Sequence, residues 1–280
     1  MIILQTMAAL REWRRAQSGG VILVPTMGAL HEGHLALMRQ ARRLAGSDGS
    51  VIASIYVNPL QFGPREDFSR YPRELESDAA KCDAAGVDAI FAPDSTEMYA
   101  PDRSVVVLET KLSQGLCGAS RPGHFDGVCT VVLKLFNLVA ADTAVFGKKD
   151  YQQMAIIQRM VRDLDVPVAI VGCETVRETD GLALSSRNRF LNSEERRQAP
   201  AIRQALLLAR ERWLGGCDDA PALLKTVVDH LADAAPLHRL DYIACVDRET
   251  LEPLVHVDKN ALLATAIFFG GTRLIDNIEL

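Results

Sequence analysis

What most limits the folds open to this sequence is a regular alternation of short, continuously apolar runs with segments of helical period. Residues 21–24 (VILV), 51–57 (VIASIYV) and 87–92 (VDAIFA) are β-rich runs. Between the first two, Leu37, Met38, Ala41, Leu44 and Ala45 recur at helical spacing over residues 34–45. The alternation continues with a helix over 128–139, a strand over 143–146, a helix over 153–164 and a strand over 168–171. Residues 1–10, apolar but short, read as a first strand feeding a helix. Strands apolar on both sides need helices over both faces, so this part of the chain predicts an α/β fold with a doubly wound parallel sheet.

After about Val176 the texture changes. Residues 177–192 are polar, contain Asp180-Gly181 and Ser185-Ser186, and read as a loop. Ser193 is expected to cap the next helix, whose apolar period runs over 201–213 with Pro200 near its first turn. Gly215-Gly216 breaks that helix. A further helix over 221–231 and strands over 240–246 and 262–269 follow. The expected organisation is a Rossmann-like domain over residues 1–176 and a smaller C-terminal α+β domain over 177–280. The length of 280 residues suits one large and one smaller domain.

The global charge removes some classes of function. A formal net charge of −5 offers no basic field for a phosphate backbone, which argues against a nucleic-acid partner. No basic start, long apolar stretch and cleavage site occur together near residue 1, and the apolar run at 261–269 is too short to span a bilayer. A membrane partner is therefore not expected. The six cysteines are scattered without a CxxC pair, which fits reduced thiols in a cytoplasm rather than a disulfide framework or zinc knuckle.

The strongest local feature is PTMGALHEGH at residues 25–34, between a buried strand and a helix. A glycine-bearing turn at the carboxyl end of a parallel strand brings backbone N–H groups and a helix N-terminus towards one point, a geometry that favours phosphate. Gly28 and Gly33 allow close backbone approach, and His31 and His34 can donate to phosphate oxygens. Donors there can stabilise charge building on an α-phosphate. In isolation the two histidines would read as surface or cap residues. A zinc site is disfavoured, because the spacing is not HExxH and no cysteine is near.

His31-Glu32-Gly33-His34 resembles the HxGH signature of the nucleotidyltransferase superfamily, and the longer string resembles the pantothenate synthetase family in particular. Further blocks agree, in order, from about Pro25 to Leu191. YVNPLQFG at 56–63 carries Asn58 and Gln61, which can hydrogen-bond a small polar substrate; without the resemblance they read equally as an Asn-Pro turn with a solvated glutamine. The resemblance assigns Gln61 to pantoate and β-alanine, Asn58 to the same pocket, and Gln153 as a second pantoate ligand. Tyr71-Pro72-Arg73 also matches the family. Asp78 falls where a magnesium-linked acid would lie, but by itself reads as part of a solvated helix face. GASRPGHFDG at 118–127 resembles the family's region near the substrate; Arg121 and His124 are read as loop packing.

FGKKDYQQ at 146–153 follows another parallel strand, where a lysine can supply positive charge for phosphate oxygens, although standing alone it reads as a lysine-rich surface turn. The family lysine directly precedes the aspartate, which carries over to Lys149. Lys148 stands where relatives are often acidic. LSSR at 184–187 offers two hydroxyls and a guanidinium that can wrap β- and γ-phosphates, although in isolation it reads as a hydrophilic linker. The resemblance implies ATP contacts on Met27, Gly28, Ala29, Leu30, His31, Glu32, Gly33 and His34, on Gly147, Lys148, Lys149 and Asp150, and on Val176, Leu184, Ser185, Ser186 and Arg187. Of these, His31, His34, Lys149 and Arg187 are the expected catalytic groups.

The function implied is ATP-dependent condensation of pantoate with β-alanine through a pantoyl adenylate, releasing AMP and pyrophosphate. Mg²⁺ would accompany ATP, with no ligand assigned from the sequence. The resemblance also implies a homodimer. The nearest alternative is another HxGH adenylyl- or cytidylyltransferase, which would need extra positive charge for a phosphorylated substrate. An aminoacyl-tRNA synthetase fits poorly with a short acidic chain, and a nucleotide-binding regulator would consume no ATP.

Overall fold

Thr6 ends the first strand and starts the first helix. Its hydroxyl accepts the Ala9 amide at 3.1 Å, capping α1 (Met7–Arg15) directly after β1 (Ile2–Leu4). The fold is that of a computed structural model, which describes residues 1–64 and 68–280. The chain continues with β2 (Val21–Thr26), α2 (Glu32–Ala45), β3 (Ser50–Ile55), α3 (Leu75–Ala84), β4 (Ala89–Phe91), α4 (Ser95–Met98), α5 (Leu116–Ser120) and α6 (His124–Val139). Then come β5 (Thr143–Gly147), α7 (Tyr151–Asp163), β6 (Ala169–Cys173), α8 (Ser193–Gln198), α9 (Ala201–Leu214), α10 (Ala220–Ala234), β7 (His238–Asp247), β8 (Ala261–Phe269) and β9 (Thr272–Glu279).

Two compact units divide the chain. The first holds residues 1–110, 121–148 and 156–174; the second holds 111–120, 149–155 and 175–280. In the first unit the strands form one parallel sheet in the order β1-β4-β3-β2-β5-β6. The chain winds outward from β2 through β3 and β4, then returns to the other side of β2 for β5 and β6. That reversal puts the topological switch between β2 and β5, where open α/β sheets bind ligands beyond the carboxyl ends of their strands.

Both faces of this sheet are covered, as the apolar runs require. Ile22, Val24, Val51, Ala53, Ile90 and Val145 form one buried cluster with Leu37, Met38 and Ala41 of α2 and Cys82 of α3. The alternate residues Leu23, Ile52 and Phe146 turn to the other face, and Phe146 meets Phe136 of α6 edge-on at 6.5 Å between ring centroids. Each fully buried Leu or Ile here contributes about 1.5–3 kcal/mol relative to exposure. Pro25 lies inside a central strand, a position proline usually avoids. Pairing of β2 with β5 stops at Leu23, so the absent amide breaks no bond to that neighbour. Beyond it, the Thr26 hydroxyl donates to the Ser54 carbonyl at 2.6 Å and ties the strand end to β3.

The second unit is a three-stranded antiparallel sheet, β7-β8-β9, against which α9 and α10 pack. Leu206, Leu223, Val227, Leu231, Leu263, Ile267 and Phe269 lie in its core. On β9, Asp276 is buried and takes both Arg177 guanidinium nitrogens, at 2.7 and 2.9 Å. β9 is a strand beyond those expected from the sequence, the last of which ends at residue 269. The structure also differs at α8: Asn192, not Ser193, is the cap, accepting the amides of Glu194 and Glu195 while Glu195 returns a bond to the Asn192 amide. No helix among the described residues is long and apolar enough to cross a membrane.

Candidate active site

The turn after β2 is built from residues that tolerate unusual backbone. Gly28 has φ +86°, and a Cβ there would come within 3.0 Å of both Asp78 Oδ2 and Ile55 Cγ2. Ala29 follows at φ +47°, a left-handed conformation that costs a non-glycine residue energy and persists only where its surroundings impose it. The turn then enters α2 with His31 as N-cap. His31 Nδ1 accepts the Gly33 amide at 3.1 Å, and His34 Nδ1 accepts the His31 amide at 3.2 Å. An amide only donates, so each ring must be unprotonated at Nδ1. Each neutral imidazole therefore carries its hydrogen on Nε2. The rings stand 4.1 Å apart at the N-terminus of α2.

Asp78 corrects the sequence reading. It is completely buried rather than on a solvated helix face, and its Oδ1 accepts the Leu30 amide at 2.8 Å. Charged residues are so seldom buried that local pattern in α3 carries no sign of this.

Asn58 and Gln61 sit on the short helical turn that follows β3, and both are buried, at 1% and 8% exposure. Asn58 Nδ2 donates to Gln61 Oε1 and to the Gly127 carbonyl, both at 3.0 Å. Its Oδ1 accepts the Leu60 amide at 3.3 Å and the Tyr99 hydroxyl at 2.9 Å. Because the Gly127 carbonyl can only accept and the Leu60 amide can only donate, the Asn58 amide has one orientation. Gln61 must then turn Oε1 towards Asn58, leaving its Nε2 to donate; that nitrogen lies 3.2 Å from Met27 Sδ, a weak acceptor. The Gln61 carbonyl accepts from His124 Nδ1 at 2.8 Å and from Arg121 Nη2 at 3.4 Å, so these two residues brace the turn. Gly127 is a close-approach glycine: a Cβ there would lie 2.3 Å from the Leu60 carbonyl oxygen.

At the carboxyl end of β5, Gly147 leads into Lys148, whose ammonium pairs with Glu174 at the end of β6. The extra lysine is thus matched by a carboxylate on the neighbouring strand's continuation. Lys149, Asp150 and Gln153 belong to the second unit. There the Lys149 carbonyl accepts from Asn277 Nδ2 at 2.9 Å, and its ammonium lies 3.9 Å from Asp150 Oδ2. The adjacent glutamines differ in burial. Gln152 is buried and bonds the Cys117 amide and the Leu112 and Gly115 carbonyls, whereas Gln153 is only partly buried.

The polar stretch after Val176 is a braced hairpin. The Leu184 amide donates to the Val176 carbonyl at 2.9 Å, and the Glu178 amide to the Leu182 carbonyl at 2.8 Å. Arg196 pairs with both Glu178 and Asp180 beneath it. Ser185 Oγ accepts the Arg187 amide at 3.3 Å, starting the short helical turn that carries Ser186 and Arg187. Tyr99, Gly127 and Gln152 were not singled out from the sequence, because what they do depends on partners 35 to 69 residues away.

A doubly wound parallel sheet with an HxGH helix cap at the carboxyl end of a central strand defines an α/β nucleotide-handling enzyme. The family model described as pantoate-beta-alanine ligase matches residues 2–279, and the chain belongs to that family of ligases. It is 56% identical over 260 residues to the pantothenate synthetase of Akkermansia muciniphila, covering 93% of this chain and 92% of that one. The crystal structure of pantothenate synthetase from Thermus thermophilus superposes with a TM-score of 0.93 at 49% identity, covering 100% and 99% of the two chains. The pantoate-beta-alanine ligase of Francisella tularensis, solved in complex with beta-gamma ATP and beta-alanine, gives a TM-score of 0.80 at 31% identity, covering 100% and 97%.

Proposed function

We propose that this chain condenses pantoate with β-alanine at the expense of ATP, through a pantoyl adenylate, and that the turn at 27–34 handles the α-phosphate. The observation that carries this reading is the fixed pair of Nε2–H donors on His31 and His34, set beside the N-terminus of α2. In the first step a pantoate carboxylate oxygen bonds to the α-phosphorus, the bond to the bridging oxygen breaks, and pyrophosphate leaves with the electron pair. In the second, the amine of β-alanine attacks the acyl carbon, loses a proton, and AMP departs. Phosphorus chemistry of this kind needs positioning and charge stabilisation rather than a protein nucleophile.

The remaining assignments follow the chemistry of each group. Met27 to His34 and Gly147 to Asp150 contact ATP, with Lys149 supplying a compact charge to the phosphates. Val176 contributes backbone, and Leu184, Ser185, Ser186 and Arg187 contact the outer phosphates. Gln61 and Gln153 bind pantoate, and Asn58 acts in the same pocket by holding Gln61 with its donor outward. Mg²⁺ is assigned as an ion that accompanies ATP. Mg²⁺ typically keeps water and phosphate oxygens as ligands, and when bound it would neutralise phosphate charge.

The chain is proposed to act as a cytoplasmic homodimer. Val105, Val106 and Leu108 are 78%, 56% and 58% exposed on one short segment anchored by the Val107 amide to Thr130 Oγ1, an apolar surface suited to a second copy. The six free cysteines suit a reducing compartment. Product analysis tests the reaction: incubation with ATP, pantoate and β-alanine should give pantothenate, AMP and pyrophosphate in equal amounts. ADP and inorganic phosphate in their place would overturn it.

A further inference from the structure

We infer that Asp78 and Lys81 are positioning residues that hold the Gly28–His31 turn in its nucleotide-binding shape. Two residues of one helix grip both polar groups of Leu30. Asp78 Oδ1 accepts the Leu30 amide at 2.8 Å, and Lys81 Nζ donates to the Leu30 carbonyl at 2.9 Å. The two side chains lie 3.6 Å apart across one turn of α3, so each charge offsets the other. Asp78 is completely buried, and its Oδ2 makes no hydrogen bond. A buried carboxylate with an oxygen to spare is costly, and removing either partner of such a pair leaves the other uncompensated.

The location explains why that cost is borne. Leu30 is the residue between Ala29, held at φ +47°, and His31, the N-cap of α2. A left-handed alanine persists only where neighbouring contacts impose it. The Asp78–Leu30–Lys81 strap is such a contact, and Gly28 is small enough to pass beside the same carboxylate. Releasing Leu30 frees Ala29 to relax, which rotates the amides and the His31 cap away from the phosphates. Small misplacements of this kind reach on the order of 10²-fold in rate.

This inference rests on the reading of the 27–34 turn as the phosphate site, so His34→Ala accompanies every measurement. Asp78→Ala in the full-length protein should raise the apparent KM for ATP by about tenfold or more while the KM for pantoate changes less than about twofold. Asp78→Asn, which keeps an acceptor for the Leu30 amide, should recover most of the loss. In [¹⁵N]leucine-labelled protein the Leu30 amide resonance should move strongly in Asp78→Ala and little in Asp78→Asn. Where Asp78→Ala does not fold, Lys81→Met carries the same expectation for ATP. Equal changes in both KM values, an unchanged ATP KM, or a defect cured by raising Mg²⁺ would overturn the positioning role. A silent Asp78→Ala beside a crippled His34→Ala sinks this inference alone; a silent His34→Ala sinks the phosphate-site reading as well.

Discussion

The side-chain amide of Asn58 donates to Gln61 Oε1 at 3.0 Å, and this bond leaves Nε2 as the donor end of Gln61. With Oε1 occupied, Gln61 presents N–H, which suits the hydroxyl or carboxylate oxygens of pantoate. Tyr99 supports the arrangement from behind. Burial, with Tyr56 nearby, holds its phenol well above the ordinary range, so it remains a donor to Asn58 throughout the working pH range. Tyr99→Phe should weaken pantoate use with ATP use unchanged, by about 0.5–1.5 kcal/mol for the lost bond. Gln61→Ala should cost more, about 1–3 kcal/mol. Steady-state kinetics with each substrate varied separately checks both; equal losses for ATP and pantoate would remove Gln61 from the pantoate site.

Gly127→Ala tests the same assembly from the opposite side. The added methyl would meet the backbone of Leu60 and Gln61 at 2.3 to 2.5 Å, and backbone cannot rotate out of the way as a side chain can. The substitution should destabilise the protein by about 1–3 kcal/mol, as overpacking does. It should also raise the pantoate KM, because the turn carrying Gln61 must shift. Urea unfolding midpoints together with pantoate titration give the two readouts.

The parts of the fold that could be read in sequence are those where a run of residues is apolar enough to exclude other elements. β2, β3 and β5 are such runs, and α2, α6 and α9 show their buried stripe directly. β9 did not stand out because its sequence, TRLIDNIE, places Asp276 and Asn277 in buried positions. Those polar residues are satisfied by groups distant in sequence: Arg177 reaches Asp276, and Asn277 reaches the Lys149 carbonyl. The site divides along the same line. The HxGH turn stands out because a buried strand and a helix flank it, and the lysine after β5 because its segment resembles the family's. Asp78, Tyr99 and Gln152 act through long-range bonds, and nothing local distinguishes them from surface or packing residues.

His34→Ala removes an Nε2–H donor and also the Nδ1 that accepts the His31 amide. The rate of adenylate formation should fall by about 10²–10³, the usual loss for a donor aimed at developing charge. The protein should remain folded, since the helix loses only part of one cap, about 0.5–2 kcal/mol. His34→Gln, which can still accept or donate, should lie between. Turnover near that of the unaltered enzyme in well-folded His34→Ala would take the residue out of the mechanism.

The paired lysines should separate sharply. Lys148 is engaged with Glu174 at the surface, and such exposed pairs contribute about 0–1 kcal/mol. Lys148→Ala should therefore be mild in both stability and rate. Lys149→Ala should reduce the first half-reaction strongly, because the proposed phosphate charge is lost with it. Pre-steady-state measurement of pyrophosphate release distinguishes the two; losses of equal size would assign both charges to the phosphates.

The reaction order can be read from where an oxygen atom ends. His31 and His34 cap α2 at a helix N-terminus that follows a glycine turn, which on the proposed reading suits attack at the α-phosphorus. If the carboxylate attacks there, pantoate alone should support exchange of labelled pyrophosphate into ATP, since the first half-reaction reverses without an amine. With ¹⁸O in both carboxylate oxygens of pantoate, one of them bridges carbon and phosphorus in the adenylate. When β-alanine attacks the acyl carbon, the C–O bond breaks and that oxygen leaves with AMP. Mass spectrometry should then find one ¹⁸O in AMP and one in the new amide carbonyl. Unlabelled AMP would mean that no acyl–phosphate bond formed at the α-position, and the adenylate would have to be abandoned even if pantothenate were made.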